Sequence, residues 1–332
     1  MTAKTNRARN AGIIVAIVLG FILIVAGVTY WMIGPAPRCK LPVDVSAEPG
    51  WSARVVNSKD TQRCYFLYVP DDYDPNQPMP LVFSYHGFSS NPNSQSLISG
   101  WHKLADKEGF LVVYPQGTDF PQRWDSGTTW NVTEVDDVQY FLDMLDDVSA
   151  VAAVDTTRVY VNGFSNGGGM TLLLGCEVAD KIAAIGTVSG AVVEIEGCNP
   201  SRPLPVMAFH GTSDPVVPYE GGNMNYRLLQ WGAGETHAPS SFIGAEEWVR
   251  FWAEGNDCDP TPESIPTQGD VSGIRYTGCS KDATVILYTI DGGGHTWPGG
   301  MPLVITGKTS RDINATDELW QFFQRYQLDN QQ

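Results

Sequence analysis

Short apolar runs alternate with segments of helical periodicity along most of the chain. The apolar runs have the length and composition of buried strands, and they are Cys64–Val69, Leu81–His86, Phe110–Tyr114, Arg158–Asn162, Ile182–Val188, Val206–Phe209 and Val285–Ile290. Apolar positions at helical spacing predict helices at Ser94–Glu108, Met170–Leu174, Ala245–Trp252 and Asp317–Tyr326. Because strands and helices follow one another in turn, the pattern predicts a mainly parallel sheet with helices on both faces.

A further helix is predicted after the third of these strands. Thr133 and Asp136 have the spacing of a capping box, and helical periodicity continues through Leu145. Gly34–Gly50, in contrast, is rich in proline and small residues and predicts a linker. No internal repeat and no second linker follow, so we expect one catalytic domain over residues 35–332.

The N-terminal segment Gly12–Ile33 is almost wholly apolar and carries no charge. Its length suits a single transmembrane helix. Lys4, Arg7 and Arg9 precede it, which favours a cytoplasmic N-terminus under the positive-inside rule. Residues 1–34 are therefore predicted to be a cytoplasmic tip and membrane anchor, with a cleaved signal peptide as the alternative. Both interpretations place the rest of the chain outside the cytoplasm.

Composition restricts the classes of partner. The chain has 332 residues, of which 42% are hydrophobic and 17% charged, and this is typical of a globular protein with a sizeable core. The formal net charge is −16, and no cluster of Lys and Arg follows the extreme N-terminus. Such a surface repels phosphate backbones, so nucleic-acid binding is not expected. A neutral or weakly charged substrate is favoured.

All six cysteines lie beyond the apolar segment. An even number in an exported chain is typical of disulfides. Pairing of sequence neighbours predicts three bridges, Cys39–Cys64, Cys176–Cys198 and Cys258–Cys279. An alternative for Cys176 is a buried free thiol in an apolar helix. Metal binding is not expected, because the spacing of cysteine and histidine matches no common zinc site.

The strongest chemical signal is the segment Gly163–Gly167, with Ser165 at its centre. It joins a predicted strand to a predicted helix. Glycine, any residue, serine, any residue and glycine at such a turn form the nucleophile elbow of serine hydrolases. The turn is so tight that it exposes the serine hydroxyl and directs the N–H groups of the helix start toward a developing negative charge.

A serine hydroxyl needs a base, and the base needs an orienting acid. Downstream of Ser165, Asp214 follows the predicted strand Val206–Phe209, and His295 follows the predicted strand Val285–Ile290. Ser, then Asp, then His is the order found in α/β-hydrolases. Both residues stand just past the carboxyl end of a strand, where open α/β sheets place their sites. The sequence therefore predicts a catalytic triad of these three residues.

The oxyanion hole needs two N–H donors. The first is predicted to be the backbone N–H of Asn166, which follows the serine. The second comes from the loop after an early strand, where Phe88 is the predicted donor and Ser89 is the alternative. His86, two residues earlier, is predicted to have a structural role.

Several blocks of the sequence resemble one family of extracellular serine esterases, which includes polyhydroxybutyrate depolymerases and feruloyl or acetylxylan esterases. The blocks are Tyr85–Gly87, Val135–Val138, Arg158–Met170, His210–Asp214 and Gly293–Gly299. The resemblance implies an α/β-hydrolase fold with Ser165 as nucleophile, Asp214 as orienting acid and His295 as base. It also implies a disulfide between Cys258 and Cys279. Phe88 departs from the family pattern, in which many members carry a small residue or cysteine.

The favoured function is hydrolysis of a carboxylic ester through an acyl-enzyme, without metal or organic cofactor. The substrate classes left open are hydroxyacid esters of the polyhydroxybutyrate type and feruloyl or acetyl esters of polysaccharides. Trp297 and Trp130 are predicted to contact the substrate, and Trp124 is a further aromatic candidate. A serine peptidase of the same fold and a catalytically silent surface binding protein are the alternatives. The oligomeric state stays open.

Overall fold

The computed structural model describes residues 47–118, 121–126, 135–193, 195, 197–223, 241–302 and 304–329. The strands of this part are β1 Gly50–Ser58, β2 Thr61–Val69, β3 Met79–Tyr85, β4 Leu111–Pro115, β5 Val154–Phe164, β6 Ala184–Val188, β7 Val206–Gly211, β8 Glu263–Gln268, β9 Val271–Tyr276 and β10 Val285–Ile290. The α-helices are α1 Pro92–Ser99, α2 Trp101–Glu108, α3 Asp137–Val151, α4 Asn166–Glu177, α5 Ala245–Gly255 and α6 Ala315–Phe323. Short 3-10 turns lie at Ala179–Lys181, Ser280–Asp282 and Val304–Thr306.

These strands form one mixed sheet in the order β1-β2-β4-β3-β5-β6-β7-β10-β9-β8. The central strands from β4 to β10 are parallel to their neighbours. Antiparallel pairs β1-β2 and β9-β8 close the two edges. The mainly parallel sheet agrees with the alternating pattern of the sequence. The outer strands β1, β8 and β9 were not predicted from the sequence, because partly exposed strands lack the continuous apolar run of a buried one.

Two apolar cores lie on opposite faces of the sheet. Alternate residues of β3 belong to different cores: Leu81 and Phe83 pack with α3, α4 and α5, whereas Val82 packs with α1, α2 and α6. This alternation follows from the two-residue period of a strand. Helices therefore cover both faces, as the sequence indicates, and all the loops at the carboxyl ends of the parallel strands meet at one edge.

Two helix boundaries differ from the expectation. The helix predicted at Ser94–Glu108 is two helices, because Gly100 between them has a φ of 68°, a left-handed conformation that ends α1. Asp136 is the N-cap of α3, and its side chain accepts a hydrogen bond from the N–H of Gln139 at 2.8 Å. Asp136 was predicted to be the later member of a capping box, and Thr133, the earlier member, lies outside the described residues.

Two disulfides are present in the described residues. Cys176–Cys198 joins the end of α4 to the segment after β6, and Cys258–Cys279 joins the segment after α5 to the segment after β9. Both bridges join cysteines that are consecutive along the sequence, and both were predicted. The free thiol considered for Cys176 is therefore wrong. Cys64 is also disulfide-bonded, but its predicted partner Cys39 lies outside the described residues.

The predicted membrane anchor, residues 12–33, also lies outside the part of the chain that the structure describes. Among the residues that are described, none of the helices has the length and apolar character needed to cross a bilayer.

Candidate active site

Ser165 occupies a strained turn between β5 and α4. Its φ and ψ angles are 57° and −121°, a conformation that is costly for any residue other than glycine. The turn is possible because glycine flanks it on both sides. A Cβ on Gly163 would lie 2.0 Å from the carbonyl oxygen of Gly167, and a Cβ on Gly167 would lie 2.4 Å from that of Tyr85. The local sequence therefore builds a sharp strand-to-helix turn with the serine at its tip.

Asp214 and His295 form a buried hydrogen-bonded pair. Nδ1 of His295 donates to Oδ2 of Asp214 at 2.8 Å, and each residue is 5% exposed. The other carboxylate oxygen of Asp214 accepts from the N–H groups of Val216 at 2.8 Å and Val217 at 2.9 Å. Burial opposes ionisation of Asp214, but the adjacent imidazole and these hydrogen bonds outweigh it, and its pKa lies below the ordinary value. A carboxylate accepts only, so Nε2 of His295 is left as the proton acceptor.

The imidazole of His295 lies beside the residue that precedes Ser165. Its ring centroid is 4.7 Å from that of Phe164. The loop that carries it is held from both directions by Thr306: the N–H of His295 donates to the carbonyl of Thr306, and the hydroxyl of Thr306 donates to the carbonyl of His295, each at 2.8 Å. The fold thus brings His295 and Asp214 together and sets the imidazole against the elbow.

The loop after β3 passes directly over the elbow. A Cβ on Gly87 would lie 3.2 Å from the Cβ of Ser165, so the loop comes close to the nucleophile at the residue before Phe88. The role of Phe88 as the second oxyanion donor stays a prediction. The buried side chain of His86 shapes this loop. It donates from Nδ1 to the carbonyl of Gly87 at 2.8 Å and accepts at Nε2 from the N–H of Gly117 at 3.0 Å. Burial lowers the pKa of His86 to about 4, which keeps the ring neutral in this role.

Trp124 links the two sides of the predicted oxyanion hole. Its backbone N–H donates to Oδ1 of Asn166 at 2.8 Å, and its indole N–H donates to the carbonyl of His86 at 2.8 Å. The backbone N–H of Asn166 stands in the first turn of α4, where helical carbonyls are unavailable to it. Trp124 therefore links the two elements, with its backbone bonded to the nucleophile helix and its fully buried side chain bonded to the loop after β3.

A buried ion pair fixes the position of Asp125, the residue after Trp124. The carboxylate of Asp137, at the start of α3, accepts from the N–H of Asp125 and from the guanidinium of Arg63, each at 2.7 Å. Both members of the ion pair are almost completely buried. This arrangement of Trp124, Asp125 and Asp137 was missed in the sequence, because no local motif marks residues that meet only in the folded sheet.

Of the two tryptophans predicted to contact substrate, the structure describes Trp297. Trp297 is fully buried, and its indole N–H donates to the hydroxyl of Thr316 at 2.9 Å. The structure therefore gives Trp297 a packing position and corrects the expectation that it faces the substrate. Trp130 lies outside the described residues, so its contact with substrate stays a prediction.

His210 supports the loop that carries the acid. Its Nε2 donates to the carbonyl of Val217 at 2.9 Å, and burial lowers its pKa. Among the residues that the structure describes, there is no group of His, Cys, Asp and Glu side chains that could hold a metal ion.

Comparison with known proteins indicates the family. Residues 63–222 match the family model described as "Esterase PHB depolymerase". This match and the relatives below support an esterase family of the polyhydroxybutyrate depolymerase and feruloyl esterase type. It is 32% identical over 241 residues to feruloyl esterase B of Piromyces equi, which corresponds to 70% of this chain and 42% of that protein. It is also 29% identical over 269 residues to feruloyl esterase C of Emericella nidulans, 79% of this chain and 83% of that protein.

A third relative is the bifunctional acetylxylan esterase/xylanase XynS20E of Neocallimastix patriciarum, 30% identical over 79% of this chain and 33% of that protein. The chain thus spans less than half the length of this relative and of the Piromyces enzyme. Among solved structures, the acetyl xylan esterase from Aspergillus awamori superposes with a TM-score of 0.57 and 16% identity, covering 82% of this chain and 99% of that one. This likeness shows a shared α/β-hydrolase-like fold.

Proposed function

We propose that this chain is a serine carboxylic ester hydrolase that acts through Ser165, His295 and Asp214. The observation that carries the proposal is the buried hydrogen bond between His295 and Asp214, which lies at the same sheet edge as the strained turn of Ser165. An activated serine requires this combination of an oriented imidazole and a serine held at a sharp turn. The match to an esterase family model supports the same reaction class.

The proposed reaction proceeds in two halves. Ser165 Oγ attacks the ester carbonyl as Nε2 of His295 takes its proton, and the carbonyl oxygen becomes an oxyanion. The imidazolium then protonates the leaving alkoxide, and an acyl-enzyme remains. Water attacks this acyl-enzyme while His295 again takes the proton, and return of that proton to Ser165 releases the acid.

Asp214 and the oxyanion donors have separate tasks. The lowered pKa of Asp214 keeps it ionised, so that it holds the imidazole in one tautomer and stabilises its cationic form. The backbone N–H groups of Asn166 and Phe88 are the proposed donors to the oxyanion, and each donor of this kind contributes about 3 kcal/mol to lowering the barrier.

The proposed substrates are feruloyl or acetyl esters of polysaccharides, or short hydroxyacid esters. The named relatives support the first two, since they are a feruloyl esterase and an acetylxylan esterase. The family model supports the third. Measuring release of ferulate, acetate and 3-hydroxybutyrate from natural substrates would rank these classes.

Labelling and turnover test the assignment of the nucleophile. We expect the protein to react with a fluorophosphonate probe and to hydrolyse p-nitrophenyl acetate, and we expect Ser165→Ala to lose both properties. Ser264→Ala, on the exposed edge strand β8, is the matched control and should retain both. Turnover that persists in Ser165→Ala would refute the proposal.

We further propose that the catalytic domain is exported and that the apolar segment at residues 12–33 anchors it, with a cleaved signal peptide as the alternative. The two disulfides support an oxidising compartment. A membrane-impermeant fluorophosphonate should label the protein on intact cells. Labelling only after lysis would contradict export.

A further inference from the structure

A cavity of about 370 Å³ lies between helix α4 and the segment that follows β6. Its described lining includes Gly169 and Leu173 of α4, Ala191 and Val193 of the segment after β6, and Ser126. None of these residues belongs to the proposed triad or to the proposed oxyanion donors.

The cavity begins against the nucleophile turn itself. The N–H groups of Gly169 and Ala191 both donate to the carbonyl oxygen of Ser165, at 3.1 and 3.0 Å. Ser126 contacts the other side of the turn, where its hydroxyl accepts from Nδ2 of Asn166 at 3.3 Å. Three lining residues are therefore hydrogen-bonded to Ser165 or Asn166. The cavity therefore adjoins the backbone of the nucleophile turn.

The walls of the cavity combine polar and apolar surface, with a small excess of apolar surface. Leu173 and Val193 are half-buried and supply part of the apolar lining. Val193 also packs against a small apolar cluster that contains Val216 and Val217, and Phe88 packs against the same cluster. The apolar surface thus continues from the cavity to the loop after β3 and to the loop that carries Asp214.

Charge at the cavity disfavours an anionic ligand. Glu177 lines the cavity and is exposed to solvent, and the whole chain has a formal net charge of −16. The volume is at the lower end of the range of about 300–1,000 Å³ for small-molecule sites. It suits a single ring or a short chain.

We propose that this cavity binds an uncharged, apolar alkyl or aryl group of the ester substrate, and that Leu173 limits its size. The proposal rests on the proposed ester hydrolase function, because it assigns the cavity to the substrate of Ser165. Leu173 lies on α4, so a larger side chain there fills the space without touching the triad.

A chain-length series tests the proposal. The wild type and Leu173→Trp are compared on p-nitrophenyl acetate, butanoate and hexanoate, and on acetates of alcohols of increasing length. We expect the ratio of kcat/KM for the longest to the shortest ester to fall at least tenfold in Leu173→Trp, in one of the two series. The series that responds identifies whether the acyl or the alcohol group enters the cavity.

Two further variants sharpen the test. Leu142→Trp adds the same bulk at a half-buried position of α3 outside the described lining, and it should leave the ratio unchanged. Glu177→Gln should raise turnover of an ester with a terminal carboxylate relative to its neutral analogue.

The outcomes separate the two proposals. A folded Leu173→Trp variant with the wild-type ratio in both series overturns the cavity assignment. Absence of turnover of every ester by the wild type, acetate included, overturns the ester hydrolase function instead.

Discussion

The indole N–H of Trp124 donates a hydrogen bond to the carbonyl oxygen of His86 at 2.8 Å. The backbone N–H of Trp124 donates to the side chain of Asn166 at the same distance. Because His86 begins the loop over Ser165 and Asn166 begins the nucleophile helix, one residue sets the separation of the two proposed oxyanion donors.

Trp124→Phe should therefore lower kcat about tenfold and change KM little. Phenylalanine keeps an aromatic ring in the core but leaves the buried carbonyl of His86 without its donor, at a cost of about 1–3 kcal/mol. Steady-state kinetics with p-nitrophenyl acetate measures the effect. Trp320→Phe is the control, since it removes an indole hydrogen bond to Glu108 on the opposite face of the sheet. A wild-type kcat in Trp124→Phe would show that the link has no influence on the reaction.

Asp214→Asn should reduce kcat by about 10⁴-fold, because an amide in place of the carboxylate can favour the wrong tautomer of His295. The variant keeps the size of the side chain and the acceptor for the N–H groups of Val216 and Val217. Circular dichroism should show a folded protein. Activity within tenfold of wild type would contradict the orienting role of Asp214.

The buried imidazole of His86 should lower the free energy of unfolding in mild acid. Burial lowers its pKa to about 4 in the folded state, whereas an unfolded histidine titrates near 6.5. Between these values the unfolded state binds more protons, so the free energy of unfolding falls as pH falls, by about 1.4 kcal/mol per unit at most. His86→Gln should show a shallower dependence of Tm on pH between about 6.5 and 4. An unchanged slope would count against a buried neutral imidazole.

Gly163→Ala should prevent folding or lower Tm by more than about 10 °C, because the added Cβ would meet the carbonyl of Gly167 at 2.0 Å. Gly255→Ala is the matched control. A Cβ at Gly255, the last residue of α5, has nothing within 4 Å, and its φ is not in the left-handed region. Thermal unfolding of both variants makes the comparison. A large loss of Tm in Gly163→Ala alone assigns the effect to the tight turn, whereas an equal loss in both variants would indicate a general sensitivity to replacing glycine with alanine.

Removal of either disulfide should cost about 3 kcal/mol of stability. The two costs should be similar, because the bridges enclose loops of similar length, with sequence separations of 22 and 21 residues. Of the four cysteines in these two bridges, Cys176 and Cys198 line the cavity, whereas Cys258 and Cys279 are not among its described lining residues. Replacing Cys176 and Cys198 with serine should therefore change the chain-length profile, whereas replacing Cys258 and Cys279 should not. Equal profiles in the two variants would disconnect the bridge from substrate selection.

Much of the fold follows from local patterns. Continuous apolar runs identified the buried parallel strands, because a strand covered on both faces has no polar side. The edge strands β1 and β8 were not predicted, because many of their residues are exposed and polar and interrupt the apolar run. Gly100 was read as part of one helix, although its left-handed conformation divides it.

The sequence alone determined the turn at Ser165 and the order in which Asp214 and His295 follow it, since each lies within a few residues of a strand end and local periodicity marks such ends. Tertiary structure decided the rest. Trp124 meets His86 and Asn166 across 38 and 42 residues of chain, and Trp297 turns into the core instead of the site. Contacts of this kind depend on which strands become neighbours in the sheet, and no pattern confined to a short stretch of chain carries that information.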